Sequence, residues 1–154
     1  MRDKRTLLIE QLDAKLKVYK SAASIQRPKH GWIKTIRTTI NMTMEQLGSR
    51  LKMTKQGVKN LEERESEGAL SINTLKEVAA ALDLKFVYGF VPKDGSIDKM
   101  INKKADAIAK KIVMRTNQNM KLEDQNISEA KLNKSIVKLS KVIKQEMHKS
   151  LWDY

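Results

Sequence analysis

The amino-acid sequence predicts a mainly all-α protein with a core of short helices, a short β-strand after it and additional helices at both ends. Apolar residues recur at steps of three and four over most of the chain, which is typical of amphipathic helices. Two prolines, Pro28 and Pro92, bracket the middle of the chain, and proline disfavours helix at the residue before it. We therefore expect an N-terminal helical arm and connector (1–30), a central domain (31–92) and a C-terminal helical extension (93–154).

The composition indicates a basic protein without cysteine. Its 31 Lys and Arg residues against 18 Asp and Glu give a formal charge of +13. Such an excess attracts polyanions, of which nucleic acid is the commonest in a cell. The lack of cysteine excludes disulfides, thiol catalysis and zinc–thiolate sites. No apolar stretch reaches the length of a membrane span or of a signal peptide, so we expect a cytoplasmic protein.

The first helix is predicted over residues 3–20. Its apolar face recurs at steps of four, four and three and consists of Leu8, Leu12, Leu16 and Tyr19. Such a helix does not bury its apolar face alone, so we expect it to pack on the body of the protein, on a second copy or on a partner. The stretch SAASIQRPKHG then connects it to the central domain.

Four short helices are predicted in the central domain. Their apolar stripes are Ile33, Ile36 and Ile40, then Leu47 and Leu51, then Val58 and Leu61, then Leu75, Val78, Ala79 and Leu82. The residues that stand where an N-cap hydroxyl is favoured are Thr43, Thr54 and Ser71. After the last stripe, the β-prone run KFVYGFVP predicts a short strand at 85–91. An isolated strand is not stable, so it either pairs with its twin in a dimer or packs on the helices as an extended segment.

Two further helices are predicted in the C-terminal extension. The apolar face of the first consists of Ile97, Ile101, Ala105, Ile108 and Ile112, and RTNQN at 115–119 is interpreted as a break after it. The apolar face of the second consists of Leu132, Ile136, Leu139, Ile143 and Met147. This second stripe is heptad-like but too short for a coiled coil.

The stretch 41–65, NMTMEQLGSRLKMTKQGVKNLEERE, contains two short helical patterns separated by KMT. Two helices joined by so short a turn can cross steeply and project the second one outward. That is the helix-turn-helix arrangement, whose second helix lies in the DNA major groove. Gly48 is small where the two helices must approach each other closely. Thr54 and the free amides at the start of the second helix suit a phosphate, and Thr43 offers the same at the first.

The outward face of the second helix has the residue types that DNA recognition needs. It holds Lys55, Gln56, Lys59 and Asn60. Gln and Asn can bond an adenine edge in two places, and Lys can donate to guanine. On a lone helix these side chains would be an ordinary solvated face, but within this pattern of five elements they indicate a DNA-binding surface. The alternative interpretation, a structural or RNA-associated basic protein, would require the helix-turn-helix pattern to be a coincidence.

The stretch TMEQLGSRLKMTKQGVKNLEE resembles the helix-turn-helix of the XRE/Cro family of phage and bacterial repressors, and the resemblance covers about 31–84. It implies a lambda-repressor-like core of five helices that binds double-stranded DNA as a homodimer at an inverted repeat. By matching position, it implies base contacts by Lys55, Gln56 and Asn60 and backbone contacts by Thr43, Thr54, Lys59 and Arg64. The family often has glycine in the turn, where this chain has Lys52.

Three segments are similar to the family named mobile mystery protein A: HGWIKTIRTTINMTMEQLGSRL, GALSINTLKEVAAALDLKFVYGFVP and the ending with LWDY. Members of that family are typically encoded beside a Fic-domain protein. The resemblance implies an antitoxin that binds and neutralises an AMP-transferring Fic toxin and represses its own operon. The alternative is a stand-alone XRE-family repressor of a mobile genetic element.

The same resemblance implies that the N-terminal or C-terminal helices bind the toxin. Many Fic inhibitors carry a helix with Ser or Thr, three residues, Glu, then Gly or Asn. The nearest pattern in this chain runs from Thr6 to Glu10 and is followed by Gln11. The basic C-terminal helix either binds the toxin or extends the contact with DNA. Its lysines are Lys131, Lys134, Lys138, Lys141 and Lys144.

Nothing in the sequence predicts catalysis or a cofactor. The two histidines lie far apart without metal-ligand spacing, and the six glycines are too scattered for a phosphate-binding loop. Glu62, Glu63 and Glu65 cluster at the end of a helix, where we expect them to meet Arg64 or Lys59. We therefore expect no enzyme activity, no catalytic residues, no metal and no cofactor.

Overall fold

A computed structural model describes residues 3–122 and 128–153. The described residues form seven α-helices, which confirms the mainly all-α prediction. The helices are α1 Lys4–Leu16, α2 Trp32–Thr39, α3 Met44–Leu51, α4 Lys55–Ser66, α5 Ile72–Ala81, α6 Ile97–Leu122 and α7 Glu129–Glu146, with two 3₁₀-helices at Lys17–Ser24 and Lys149–Trp152. No helix in this part of the chain has the length and hydropathy needed to cross a bilayer.

The chain divides into two compact units. The first, Ser24–Gly89, contains α2 to α5. The second combines the chain up to Ala23 with the chain from Phe90 onward, and it contains α1, α6 and α7. Each unit has a hydrophobic core of its own.

The core of the Ser24–Gly89 unit is built from the four predicted stripes. Its buried side chains are Ile33, Leu47, Val58, Leu61, Val78 and Leu82. Leu47 and Val58 are fully buried, and each such burial contributes about 1.5–3 kcal/mol. Ile40 departs from its predicted stripe and is half exposed, because α2 ends one residue before it. The unit has four α-helices where the family resemblance implied five.

Hydroxyl side chains define the start of three of these helices. Thr43 accepts a hydrogen bond from the Gln46 amide at 3.1 Å, and the Gln46 side chain accepts from the Thr43 amide at 2.8 Å. Thr54 accepts from the amide of Gly57 at 3.1 Å, and Ser71 caps α5 in the same way. The three N-caps predicted from the sequence are therefore confirmed, and they satisfy amides that have no partner within their own helix.

A buried ion pair joins α2 to α4. Arg37 donates to the two carboxylate oxygens of Glu62 over 2.5 and 3.2 Å, and it also donates to the carbonyl oxygen of Met42 at 2.9 Å. The expectation that Glu62 meets Arg64 or Lys59 is therefore wrong. Glu62 lies on the buried face of α4, so its partner comes from the helix packed against that face.

A second glutamate of α4 caps the start of α2. The Glu65 carboxylate accepts a hydrogen bond from the backbone amide of Trp32 at 3.1 Å. Gly31 precedes that amide, with φ 81° and ψ 168°, a region open essentially to glycine alone. The expectation that Glu65 pairs with a neighbouring cation of α4 is also wrong, because its carboxylate accepts from a free amide at the start of α2 instead.

The segment after α5 does not form the predicted strand. Residues 84–92 contain neither helix nor strand, so the prediction of a strand at 85–91 is wrong. The rings of Phe86 and Tyr88 stack with centroids 6.0 Å apart, while Val87 is 63% exposed. A strand needs a neighbouring strand for its backbone hydrogen bonds, and no described residue of the chain belongs to one.

In the second unit, α6 packs along α7 and also against α1. Its buried core consists of Ile101, Ala105, Ala109, Ile143 and Leu151. Four residues of the predicted apolar face of α7 lie in or against this core, namely Ile136, Leu139, Ile143 and Met147, whereas Leu132 does not pack on it. The break predicted at 115–119 is wrong, because α6 continues through it to Leu122. That stretch holds neither proline nor glycine, and asparagine and threonine lower helix propensity only slightly.

The face of α1 that packs against the core of the second unit differs from the predicted one. Leu8 and Leu12 are 55% and 44% exposed, whereas Ile9 packs against the core of the second unit. The cause is Asp13, whose carboxylate accepts the first two amides of α6 at 2.6 and 3.1 Å. Because these amides have no partner within α6, a carboxylate beside them is favourable, and it fixes the rotation of α1.

Candidate nucleic-acid interface

The turn between α3 and α4 is closed by a left-handed residue. Lys52 has φ 57° and ψ 43°, and its amide and that of Met53 both donate to the carbonyl oxygen of Gly48. This is the backbone conformation that glycine usually provides. A residue with a side chain adopts it at a cost of about 1–2 kcal/mol. Lys52 therefore adopts the left-handed conformation that a glycine usually adopts at this position, and the turn keeps its usual backbone geometry.

Gly48 lies where α3 comes closest to the turn. A Cβ atom at this position would stand 2.6 Å from the carbonyl oxygen of Met53 and 3.4 Å from a methyl group of Val58. The first distance is shorter than any side chain tolerates. The sequence-based expectation that a small residue is required here is confirmed.

The three residues predicted to contact bases lie together on the exposed face of α4. Lys55, Gln56 and Asn60 are all exposed. The side-chain amide of Gln56 donates to the side-chain oxygen of Asn60 at 3.0 Å. This bond leaves the Gln56 oxygen free as an acceptor and the Asn60 amide free as a donor. An adenine edge presents the complementary pair, a donor at N6 and an acceptor at N7.

Lys55 is joined to a carboxylate of the preceding helix. Its Nζ lies 3.0 Å from Oε1 of Glu45, and both side chains are exposed. The hydrogen bond from Lys55 lowers the pKa of Glu45. Solvent screens an exposed ion pair of this kind, so it contributes little to stability. Lys55 can therefore exchange Glu45 for a guanine or a phosphate at little cost.

The residues predicted to contact the DNA backbone surround this face. Thr43 and Thr54 occupy the N-caps of α3 and α4, where each hydroxyl accepts from its own helix. The Thr54 O–H remains to donate, whereas the Thr43 hydroxyl also interacts with the Glu45 carboxylate. Lys59 is exposed on α4. Arg64 donates to the carbonyl oxygen of Ala69 at 3.1 Å, which holds the loop after α4 and uses only part of the guanidinium.

The structure adds two residues that the sequence did not indicate. Lys34 of α2 lines a small cleft together with Lys59 and His30, so two lysines from different helices converge there. Glu45 is the second residue, since its carboxylate pairs with Lys55. No signal in the sequence could have found Lys34, because its proximity to Lys59 exists only once α2 packs on α4.

The two residues of the inhibitor-like pattern lie in the other unit. Thr6 and Glu10 are exposed on α1, four residues apart and thus neighbours on the helix surface. Thr6 lines a cleft of about 330 Å³ whose walls also include Arg5, Asp98 and Lys144.

Two capped helices joined by a left-handed turn define a helix-turn-helix domain, in which α5 packs on the first of them and α2 packs on the second, which is exposed on its other face. In agreement, residues 33–88 match the family model described as helix-turn-helix. The match supports a DNA-binding regulator of XRE type, and the matched family is one of DNA-binding domains rather than of enzymes. Searches of curated proteins and of solved structures gave no significant match.

Proposed function

We propose that this chain is a sequence-specific transcriptional repressor that places α4 in the major groove of an operator. The observation that carries this proposal is the exposed face of α4, on which Gln56 and Asn60 form a bonded pair beside Lys55. A helix presented in this way reads bases from its N-terminal residues. The family match at residues 33–88 supports the same function.

In this proposal the contacts divide into two groups. Lys55, Gln56 and Asn60 contact base edges and determine sequence preference. The backbone contacts come from Thr43, Thr54, Lys59 and Arg64, and they fix the position of the domain without reading sequence. The formal charge of +13 favours the phosphates generally, so affinity falls steeply with rising salt concentration.

The proposed DNA-binding form is a homodimer on an inverted repeat. A two-fold axis in the protein then matches the two-fold axis of the operator, and the two copies of α4 enter successive major grooves about 34–36 Å apart. A single domain of this size contacts only one half-site, so dimerisation multiplies both affinity and specificity.

Changing Gln56 or Asn60 to alanine is expected to weaken operator binding by about 1–3 kcal/mol and to relax base preference. The reason is that each variant removes one member of the bonded pair that faces the bases. Fluorescence anisotropy with the DNA upstream of this gene and with an unrelated duplex of equal length measures both effects. Gln118→Ala, at an exposed glutamine of α6, is the matched control and should bind as the wild type does.

Equal losses of affinity for the two duplexes would mean that Gln56 and Asn60 contact the DNA backbone rather than the bases.

Lys59→Ala is expected to weaken binding to both duplexes equally and to lower the slope of log affinity against log salt by about one. An unchanged slope would remove Lys59 from the backbone contacts.

We further propose that the chain is the antitoxin of a type II toxin–antitoxin pair, neutralising a Fic-domain toxin by direct binding and repressing its own operon. The support is the similarity of three sequence segments to mobile mystery protein A. Thr6 and Glu10 are the candidate inhibitory residues, and both are exposed on α1. The second candidate function is a stand-alone repressor of a mobile element, which the helix-turn-helix match supports equally well.

Growth of cells that express the adjacent gene separates these two functions. We expect the adjacent product to stop growth and this chain to restore it. Glu10→Ala should abolish the rescue, whereas Asn60→Ala should rescue fully because it affects only DNA binding. A harmless neighbour, or no rescue by the wild-type chain, would leave the stand-alone repressor. Full rescue by Glu10→Ala would move the inhibitory contact away from Glu10.

A further inference from the structure

The helix α7 has a second face that the core does not use. Four lysines at steps of three, four and three lie on it, and all four are exposed. We call this the lysine face; it consists of Lys131, Lys134, Lys138 and Lys141. The apolar residues of α7 point about half a turn away, where Ile136, Leu139 and Ile143 pack against the core of the second unit.

The four charges of the lysine face have no carboxylate partner among the residues that the structure describes. None of the ion pairs among the described residues involves its four lysines. The acidic residues of α7, Glu129 and Glu146, stand at its two ends. Lys144 borders the lysine face next to Lys141 but differs from its members in being paired, since its Nζ lies 2.9 Å from Oδ1 of Asp98 on α6. The structure thus separates Lys144 from the four lysines with which it is grouped in the sequence.

The spacing of these charges is close to that of a DNA strand. Ten residues separate the first and last lysines, which corresponds to about 15 Å along the helix axis. Four cations over this length give roughly one charge every 4–5 Å, compared with one phosphate every 3.4 Å or so along one strand of a duplex. Flexible lysine side chains can bridge the small difference.

We propose that the lysine face of α7 binds the sugar–phosphate backbone of duplex DNA. The inference rests on the proposed DNA-binding function and extends it, because it assigns phosphate contacts to a unit that lies outside the helix-turn-helix domain. Lysine makes point-charge contacts with phosphates, which add affinity without sequence preference.

The test is the salt dependence of DNA binding by the full chain. The probes are a long duplex with the DNA upstream of this gene and an unrelated duplex of the same length. One variant changes the lysine face to glutamine, and a control changes four exposed lysines of the N-terminal elements, which lowers the net charge equally. The first is Lys131→Gln, Lys134→Gln, Lys138→Gln and Lys141→Gln combined; the control is Lys4→Gln, Lys15→Gln, Lys17→Gln and Lys20→Gln combined.

The lysine-face variant is expected to lower the log–log salt slope by about three to four on both duplexes. Between 50 and 200 mM salt, the wild-type chain should therefore lose roughly a hundredfold more affinity than this variant does. The N-terminal control and the single variant Lys144→Gln should keep the wild-type slope. Changing the same four lysines to arginine should also keep it, because the charge is retained. Circular dichroism of each variant verifies that the helices form.

Two results would overturn the proposal: a wild-type slope in the glutamine variant, or an equal fall in the N-terminal control. The second would mean that net charge alone, rather than this face, determines the slope. A failure of the proposed repressor function looks different, since the wild-type chain would then bind both duplexes equally. In that case a reduced slope in the lysine-face variant alone would still support this inference.

Discussion

Glu62→Ala is expected to destabilise the helix-turn-helix domain by about 3–5 kcal/mol, enough to unfold a marginally stable unit. The side chains of Arg37 and Glu62 are 8% and 4% exposed, and Arg37 donates two hydrogen bonds to the Glu62 carboxylate. Removal of the carboxylate therefore leaves a guanidinium buried without a counter-charge. The contact with the Met42 carbonyl oxygen persists and neutralises no charge. Because α4 carries both Glu62 and the face proposed to contact bases, DNA binding should be lost together with folding.

Urea unfolding followed by the fluorescence of Trp32 measures this effect. Trp32 lies in the same unit as the ion pair, and Trp152→Phe removes the other tryptophan of the chain, so the signal reports this unit alone. Glu63→Ala is the matched control, since Glu63 is the next residue of α4 and is exposed. It should change the free energy of unfolding by no more than about 0.5 kcal/mol.

The double variant Arg37→Met with Glu62→Leu distinguishes a lost charge pair from a lost packing contact. Replacing both charges with apolar side chains is often neutral or stabilising, so most of the lost stability should return. If Glu62→Ala alone lies within about 1 kcal/mol of the wild type, the ion pair does not hold α2 on α4.

Gly31→Ala is expected to destabilise the same unit by about 3 kcal/mol. The backbone at Gly31 has φ 81° and ψ 168°, and an added Cβ would stand 1.6 Å from Oε2 of Glu65. The variant therefore strains the backbone and also displaces the carboxylate that caps α2 through the Trp32 amide. Unfolding in the same single-tryptophan background measures the loss.

Two further variants separate these causes. Gly68 also has a positive φ, 77°, but a Cβ added there meets nothing within 4 Å, so Gly68→Ala should cost only the strain of about 1–2 kcal/mol. In a chain that already carries Glu65→Ala, the additional cost of Gly31→Ala should fall to that level. An undiminished cost in that background would show that the carboxylate is not the obstacle.

The helix-turn-helix motif, α3 and α4 with the turn between them, was predictable because its determinants are local. The hydroxyls of Thr43 and Thr54 cap the helices that follow them directly, and Gly48 meets a backbone atom only five residues away. The stripes of Leu47 and Val58 follow helix geometry, which depends on neighbouring residues along the chain. Each of these features is set by sequence separations of a few residues, so a single sequence contains the information.

The predictions that were wrong share one cause: each depended on whether a residue or element distant along the chain acts as a packing partner. Asp13 turns α1 away from its apolar stripe because the amides of α6 are satisfied there. The β-prone run at 85–91 has no neighbouring strand within the described chain, and propensity alone does not form one. The predicted break at 115–119 disappears because packing along α7 outweighs a small loss of helix propensity.

The sequence by itself therefore determined an all-α basic protein, the four helices of the helix-turn-helix domain, the N-caps of three of them and the exposed polar face of α4. Only the tertiary structure decided that Arg37 neutralises Glu62, that Glu65 caps α2, and that Lys144 pairs with Asp98. It also decided that four other lysines of α7 have no carboxylate partner within the described part of the chain. The physical reason is that helix periodicity and capping act over one or two turns. Charge pairing and burial depend on which distant faces meet, and that is fixed only when the helices pack.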